Sequence, residues 1–209
     1  MRVAGGLAFS TVNAGRHSCG VAVDGAAWCW GEGMYGELGN DSNESSAVPV
    51  QVAGGLKFRS ISAGLMHSCG LTTDRRAWCW GSNMYAYLGV GSEAGRTVRQ
   101  PTAMKGTASL EAFVVGYEHS CALASDGSVW CGGQNEFGQI GDGSAIDRKV
   151  PVRVAGTRRF KQLTASASGR LPARSTQTAR LTVGAATLMA NSATAAPRTA
   201  RNRSLSRAA

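Results

Sequence analysis

His17–Gly31 reads HSCGVAVDGAAWCWG, and close copies follow as HSCGLTTDRRAWCWG over His67–Gly81 and HSCALASDGSVWCGG over His119–Gly133. The matching histidines lie 50 and then 52 residues apart, a period typical of repeat architectures. Each copy is followed by an aromatic, Gly-rich loop: MYGELG from Met34, MYAYLG from Met84 and EFGQIG from Glu136. Each unit is bounded by a proline-led apolar run, PVQV from Pro49, PTAM from Pro101 and PVRV from Pro151.

Turn signals recur about every ten residues between β-rich runs, which argues for strands and against helices. In the second unit, strands are expected near Pro49–Val52, Phe58–Ala63, Ser68–Thr72 and Ala77–Gly81. Four antiparallel strands in about 50 residues make one propeller blade, and blades set around an axis leave only short edges. The expected fold is all-β: a partial β-propeller of about three four-stranded antiparallel blades, followed by a disordered C-terminal tail. The units divide as 1–47 for the first blade, incomplete at its start, 48–99 for the second and 100–149 for the third. Residues 150–165 would begin a fourth blade, and 166–209 form the tail.

These motifs resemble the regulator-of-chromosome-condensation repeat family, in its bacterial-type form with paired cysteines. That family carries a progression H-[ST]-x-A-L, D-G, W-G, N-x-x-G-Q-L-G and closes into a seven-bladed propeller. The resemblance covers residues 1 to about 165, with three copies agreeing in order and spacing. Departures fall at Gly132 in place of the second Trp, Arg75 in place of the turn glycine and Ala86 in place of the loop glycine.

A residue present in every blade is expected to build the blade, since an active site needs its groups once. His17, His67 and His119 each precede Ser and Cys, but no repeated carboxylate accompanies them to orient an imidazole as a triad requires. They are read as structural hydrogen-bonding groups at strand starts. Trp28, Trp30, Trp78, Trp80 and Trp130 are read as packing between blades, with a surface aromatic platform as the alternative. Gly39, Gly89 and Gly141 close the aromatic loops and are counted with the repeat framework.

All six cysteines fall in one pattern, two per repeat with nine residues between them. A three-residue loop at Val23, Asp24 and Gly25, with the glycine left-handed, sets residue 22 opposite 26 and therefore Cys19 opposite Cys29. The same register pairs Cys69 with Cys79 and Cys121 with Cys131. A directly opposed, non-hydrogen-bonded pair is close enough for a cross-strand disulfide, whereas a two-residue turn would slip the register by one. Three intrablade disulfides are the favoured reading, and they imply an oxidising place such as the periplasm, the exterior or a cell surface. Buried free thiols in a cytoplasmic protein are one alternative. A zinc set of His17, Cys19 and Cys29 is the other, although it lacks the short spacing of a zinc knuckle.

The formal charge of +9 is unevenly placed. Residues 1–165 hold 15 Lys and Arg against all 13 Asp and Glu, whereas 166–209 hold seven Arg and no acid. Past Arg170 the repeat stops where a histidine is due. If the message from Leu171 is read from the third base of each codon, two bases of every shifted codon are fixed. With suitable free bases, Leu171 to Ala195 yields S-C-A-L-D-A-D-G-A-A-Y-C-W-G-G-N-A-Y-G-Q-L-G-D-G. At Met189 and Ala190 the shifted codon is glycine whatever the free bases, and it falls at the loop glycine. Loss of one base in a histidine codon after Arg170, natural or from sequencing, accounts for the change. The tail arginines are then a product of the code; a true basic, disordered arm is the alternative.

The functional expectation is a non-catalytic protein-binding scaffold, part of a larger propeller, with no cofactor and no residue assigned to catalysis. Its partner is an unidentified protein; nucleic acid and membrane insertion are not expected, and a small-molecule ligand is left open. Resemblance supplies one alternative, nucleotide-exchange control of a small GTPase, for which an extra hairpin would be needed. Unit two is longer only around Val90–Gln100. An enzyme of propeller glycosidase or sialidase type is the competing class, but SDGSVW from Ser125 matches an Asp-box poorly and no convergent carboxylates are visible.

Overall fold

A computed structural model describes residues 5–164, except 85, 87, 92, 93, 107, 108 and 117, together with two short strands at 180–183 and 186–188. Three four-stranded antiparallel sheets follow one another along the chain, each with its strands in sequence order. The first holds β1 (Phe9–Ala14), β2 (His17–Ala22), β3 (Ala27–Gly31) and β4 (Ser46–Gln51). The second holds β5 (Phe58–Ala63), β6 (His67–Thr72), β7 (Ala77–Ser82) and β8 (Thr97–Ala103). The third holds β9 (Leu110–Val115), β10 (His119–Ala124), β11 (Val129–Gly133) and β12 (Arg148–Arg153). No helix among the described residues is long and apolar enough to cross a membrane.

The hairpins explain why the register is so well defined. Ala22 N–H donates to Ala26 C=O and Gly25 N–H to Ala22 C=O, at 2.8 and 2.9 Å, which is the three-residue loop with a left-handed third residue. Gly25 has φ 84° and Gly127 φ 78°. Asp24 pre-forms the turn by accepting from Ala26 N–H at 2.9 Å, and that bond holds its carboxylate below the usual range. Counting back from the turn sets Cys19 opposite Cys29, Cys69 opposite Cys79 and Cys121 opposite Cys131. Each pair is disulfide-bonded, with Cα atoms 4.1 to 4.2 Å apart, and no free cysteine is present.

Sheets and sequence units are out of phase. The strand containing Pro49 was expected to head the second unit, but Cys29 pairs with Val50, and Val52 N–H donates to Ala27 C=O at 2.9 Å. It therefore closes the first sheet, as the Pro101 and Pro151 strands close the second and third. Proline lacks an N–H and suits an edge strand, and all three prolines occupy the last strand of a sheet. The extra residues of unit two lie in the strands: β7 and β8 are 6 and 7 residues long against 5 and 6 for β3 and β4. The connections at 32–45, 83–96 and 134–147 are equal in length, so no sheet carries an added hairpin there.

A single buried cluster runs from Cys19 and Val21 through Phe58, Leu71 and Trp80 to Leu110, Phe113 and Val115, joining the three sheets. A second cluster under the third sheet includes Cys121, Leu123, Ile140 and Leu163. Leu163 belongs to β13 (Gln162–Thr164), which pairs with β14 (Arg180–Val183), itself paired with β15 (Ala186–Leu188). The expected disordered tail over 166–209 lies outside the described residues except for β14 and β15, which are strands.

Two departures from the repeat keep the backbone of the residue they replace. Arg75 has φ 66° where Gly25 and Gly127 stand, and Ala86 has φ 60° where Gly36 and Gly138 stand at 76° and 73°. A side chain in the left-handed region costs roughly 1–2 kcal/mol. Arg75 recovers part of that through an ion pair with Glu111 at 2.6 Å, whereas Ala86 has no such group. Ala86→Gly is therefore expected to stabilise the protein by about 1 kcal/mol, read as a rise in the denaturation midpoint. Alkylation of the denatured protein should label none of the six cysteines before reduction and all six after it, as counted by intact mass.

Candidate functional site: blade seams and the loop face

The recurring polar residues meet at the seams between sheets. His17 Nε2 lies 2.6 Å from Ser68 Oγ in the next sheet, and His67 Nε2 lies 3.2 Å from Ser120 Oγ in the one after. Ser68 Oγ donates its one hydrogen to Glu37 C=O at 3.0 Å. The hydroxyl oxygen must then accept from His17, which puts the imidazole hydrogen on Nε2. His17 Nδ1, bare in that tautomer, is buried without a partner. The Ser-His juxtaposition in the sequence thus resolves into bonds between neighbouring blades, and Ser68 and Ser120 are fully buried, out of reach of a substrate.

Desolvation dominates the electrostatics. Burial pushes the His17 and His119 pKa values down to about 4, and burial together with the charges of His17 and His119 pushes His67 down to about 3. Burial pushes Glu37 up, and its Oε2 accepts from Tyr35 N–H at 2.6 Å.

The tryptophans divide by position. Trp80 is fully buried, donates Nε1–H to Glu37 C=O across the seam at 2.9 Å and packs on Phe58 with ring centroids 5.9 Å apart. Gly39 makes this possible: a Cβ there would sit 2.6 Å from Trp80 Nε1, so the loop glycine of one blade is the seat of the next blade's indole. Trp30, half-buried, packs on Phe9 within its own sheet at 5.7 Å. Trp28, Trp78 and Trp130 are half-buried as well, and Trp130 donates to Ser128 Oγ of its own hairpin at 3.1 Å. In the third sheet Gly132 stands where Trp30 and Trp80 stand, and Pro151 supplies the bulk, its Cγ 3.0 Å from where a Cβ on Gly89 would be. Gly141 faces Val154 of its own repeat, the counterpart of Met104 beside Gly89, at 3.3 Å.

Sequence reading missed two sets of residues. Asn13 Oδ1 accepts from Ala63 N–H at 2.9 Å, and Ser62 Oγ accepts from Val115 N–H at 3.2 Å, so a short polar side chain on the inner strand ties each sheet to the next. Asn83 and Asn135 staple the loops that follow them. Asn83 Nδ2 donates to Gly91 and Gly95 C=O at 3.2 and 2.9 Å; Asn135 Nδ2 donates to Ser144 and Ile146 C=O at 3.0 Å each. The signal was an Asn standing just before both aromatic loops. Gly33 replaces it in the first unit, and there Glu44 C=O fills the space that a Cβ would need.

Nothing in these seams assembles a metal site. The proposed zinc set is undone by the Cys19–Cys29 bond and by the Ser68 contact of His17, and no group of three or more His, Cys, Asp or Glu is poised for a metal among the described residues. The accessible chemistry is at one end of the blades. The β3–β4, β7–β8 and β11–β12 connections emerge at the same end of each sheet, and there Met34, Met84 and Phe137 are 68%, 49% and 69% exposed.

The neutral buried histidines make stability depend on pH. Each has a folded pKa below its unfolded value near 6.5, so the stabilisation is complete above about pH 6.5 and is lost as pH falls toward 4 and then 3. Glu37, shifted up, acts in the opposite sense as one group against three. The unfolding free energy is expected to fall by a few kcal/mol per histidine between pH 7 and 4, with a smaller fall in His67→Gln, as measured by denaturant titration.

Comparison with known proteins gives a consistent picture. A family model described as the regulator of chromosome condensation (RCC1) repeat matches residues 24–71, 74–123 and 126–170, and a second model of the same description matches 58–85 and 111–139. The chain is 27% identical over 152 residues to the ultraviolet-B receptor UVR8 of Arabidopsis thaliana, covering 71% of this chain and 34% of the receptor. It is 30% identical over 163 residues to the E3 ubiquitin-protein ligase HERC2 of Mus musculus, covering 71% of this chain and 3% of the ligase. The chain thus spans at most about a third of these curated relatives. Among solved structures, Prp20p of Saccharomyces cerevisiae, studied for binding Gsp1p and histones, aligns with TM-score 0.66 at 24% identity, covering 71% of this chain and 39% of that one. Human WBSCR16 aligns with TM-score 0.63 at 20% identity, covering 69% and 37%.

Proposed function

Because the chain belongs to the regulator-of-chromosome-condensation repeat family, we propose that it is a non-catalytic protein-binding scaffold, one arc of a larger propeller. The observation that carries this reading is the division of labour among the repeated residues. Histidine, serine, cysteine, Trp80 and the loop glycines are consumed in building blades, whereas the same loop in every repeat presents a large apolar side chain to solvent. Exposed apolar groups repeated on one end of a sheet array suit a protein surface, in which apolar anchors supply most of the binding energy. Over residues 1–165 the charges nearly cancel, which offers little to a phosphate backbone. The paired cysteines favour action in an oxidising compartment: the periplasm, the exterior or a cell surface.

Simultaneous Met34→Ser, Met84→Ser and Phe137→Ser leaves the seams intact and should reduce partner capture from extracts of the source organism at least tenfold, with an unchanged thermal midpoint. Equal capture by the variant would remove the loop face from the function.

A further inference from the structure

The bond that joins each blade to the next is present twice and half-built a third time. His17 reaches Ser68, 51 residues on, and His67 reaches Ser120, 53 residues on. His119 holds the same place in the third sheet, 4% exposed, and its Nε2 has no hydrogen-bond partner among the described residues. A buried ring nitrogen left unpaired is rare enough in folded proteins to need an explanation. By the same spacings of 51 and 53 residues its acceptor is due between positions 170 and 172, and the third family match ends at 170.

We infer that the face of the third blade around His119 is the seat of a fourth blade of the same repeat type, and that its occupant is encoded by codons 171–195 in the shifted frame. With the free bases chosen to suit the repeat, the two bases fixed in every shifted codon admit three features that the structure assigns to a blade of this type. The shifted string opens with Ser-Cys, which places a hydroxyl 53 residues after His119 once the lost histidine codon is restored, matching the His67 to Ser120 step. Its two cysteines stand ten apart, the separation of all three disulfides. Directly after the second cysteine comes Trp, and three residues later Asn ahead of a loop ending Leu-Gly. These are the counterparts of Trp80, which donates across the seam, and of Asn83 and Asn135, which staple the loops.

The seat is also partly occupied in the expected way. β13 follows the third sheet as β5 follows the first and β9 the second, and Leu163 on it is buried against Cys121, Leu123 and Ile140. The strand it pairs with in the frame as written is β14, which reads Arg-Leu-Thr-Val.

The test compares the full chain as written with a full chain in which one base is restored after the Arg170 codon. The restored protein should carry two additional cysteines that resist alkylation until reduced, and a higher thermal midpoint. His119→Ala should lower the midpoint more in the restored chain than in the chain as written, and replacing the restored serine with alanine should abolish that difference. An equal effect of His119→Ala in both backgrounds overturns the proposal. Sequencing of the genomic DNA across codons 170–196 decides independently of folding: a string that no single-base insertion converts to His-Ser-Cys-Ala-Leu also overturns it.

Discussion

A propeller arc must solve one problem before any other: flat-faced sheets slide over one another unless something directional fixes how they meet. Here that constraint is the imidazole hydrogen bond between His17 and Ser68 and between His67 and Ser120, made among buried side chains. Apolar burial supplies attraction without direction. The hydrogen bond supplies the direction, and Ser68 passes it on to Glu37 C=O, where the Trp80 indole also arrives. In the first seam one carbonyl therefore receives two hydrogen bonds, so the loop that carries it, the strand that carries the serine and the strand that carries the tryptophan are placed together.

Around that constraint the repeats vary freely. Gly132 gives up an indole and Pro151 takes its room; Gly33 gives up an asparagine and the chain closes over the gap; Arg75 accepts a left-handed backbone and offsets it through Glu111. None of these touches the histidine or the serine. The disulfides act within a sheet, clamping β2 to β3 and their equivalents, and so they secure each blade without ordering blades relative to one another.

Much of this was legible in the residues. The hairpin register follows from a turn whose third residue is left-handed, and the cysteine pairing follows from the register. The period and the apolar runs gave the strands and their number per blade. Two things were not legible, for a common reason. Which sheet receives the Pro49 strand depends on hydrogen bonds to Ala27 and Cys29, some twenty residues back, and a repeat has no natural starting point from which to count. The partner of each histidine lies about fifty residues ahead, beyond the adjacent serine that sequence proximity suggests. The ties made by Asn13 and Ser62 escaped notice because different residue types perform one task, which periodicity does not detect.

The half-step between repeat and sheet bears on how such an arc could grow. A length of gene running from one histidine codon to the next carries β2, β3 and β4 of one blade together with β5, the inner strand of its neighbour. A duplicated segment therefore enters already laced to both sides, because its own backbone crosses a seam. No new linker has to be invented, and the donor of one contact and the acceptor of the next travel in the same copy. Recombination at any phase of the unit conserves the seam, so blade number can change while the chemistry of the joint stays fixed.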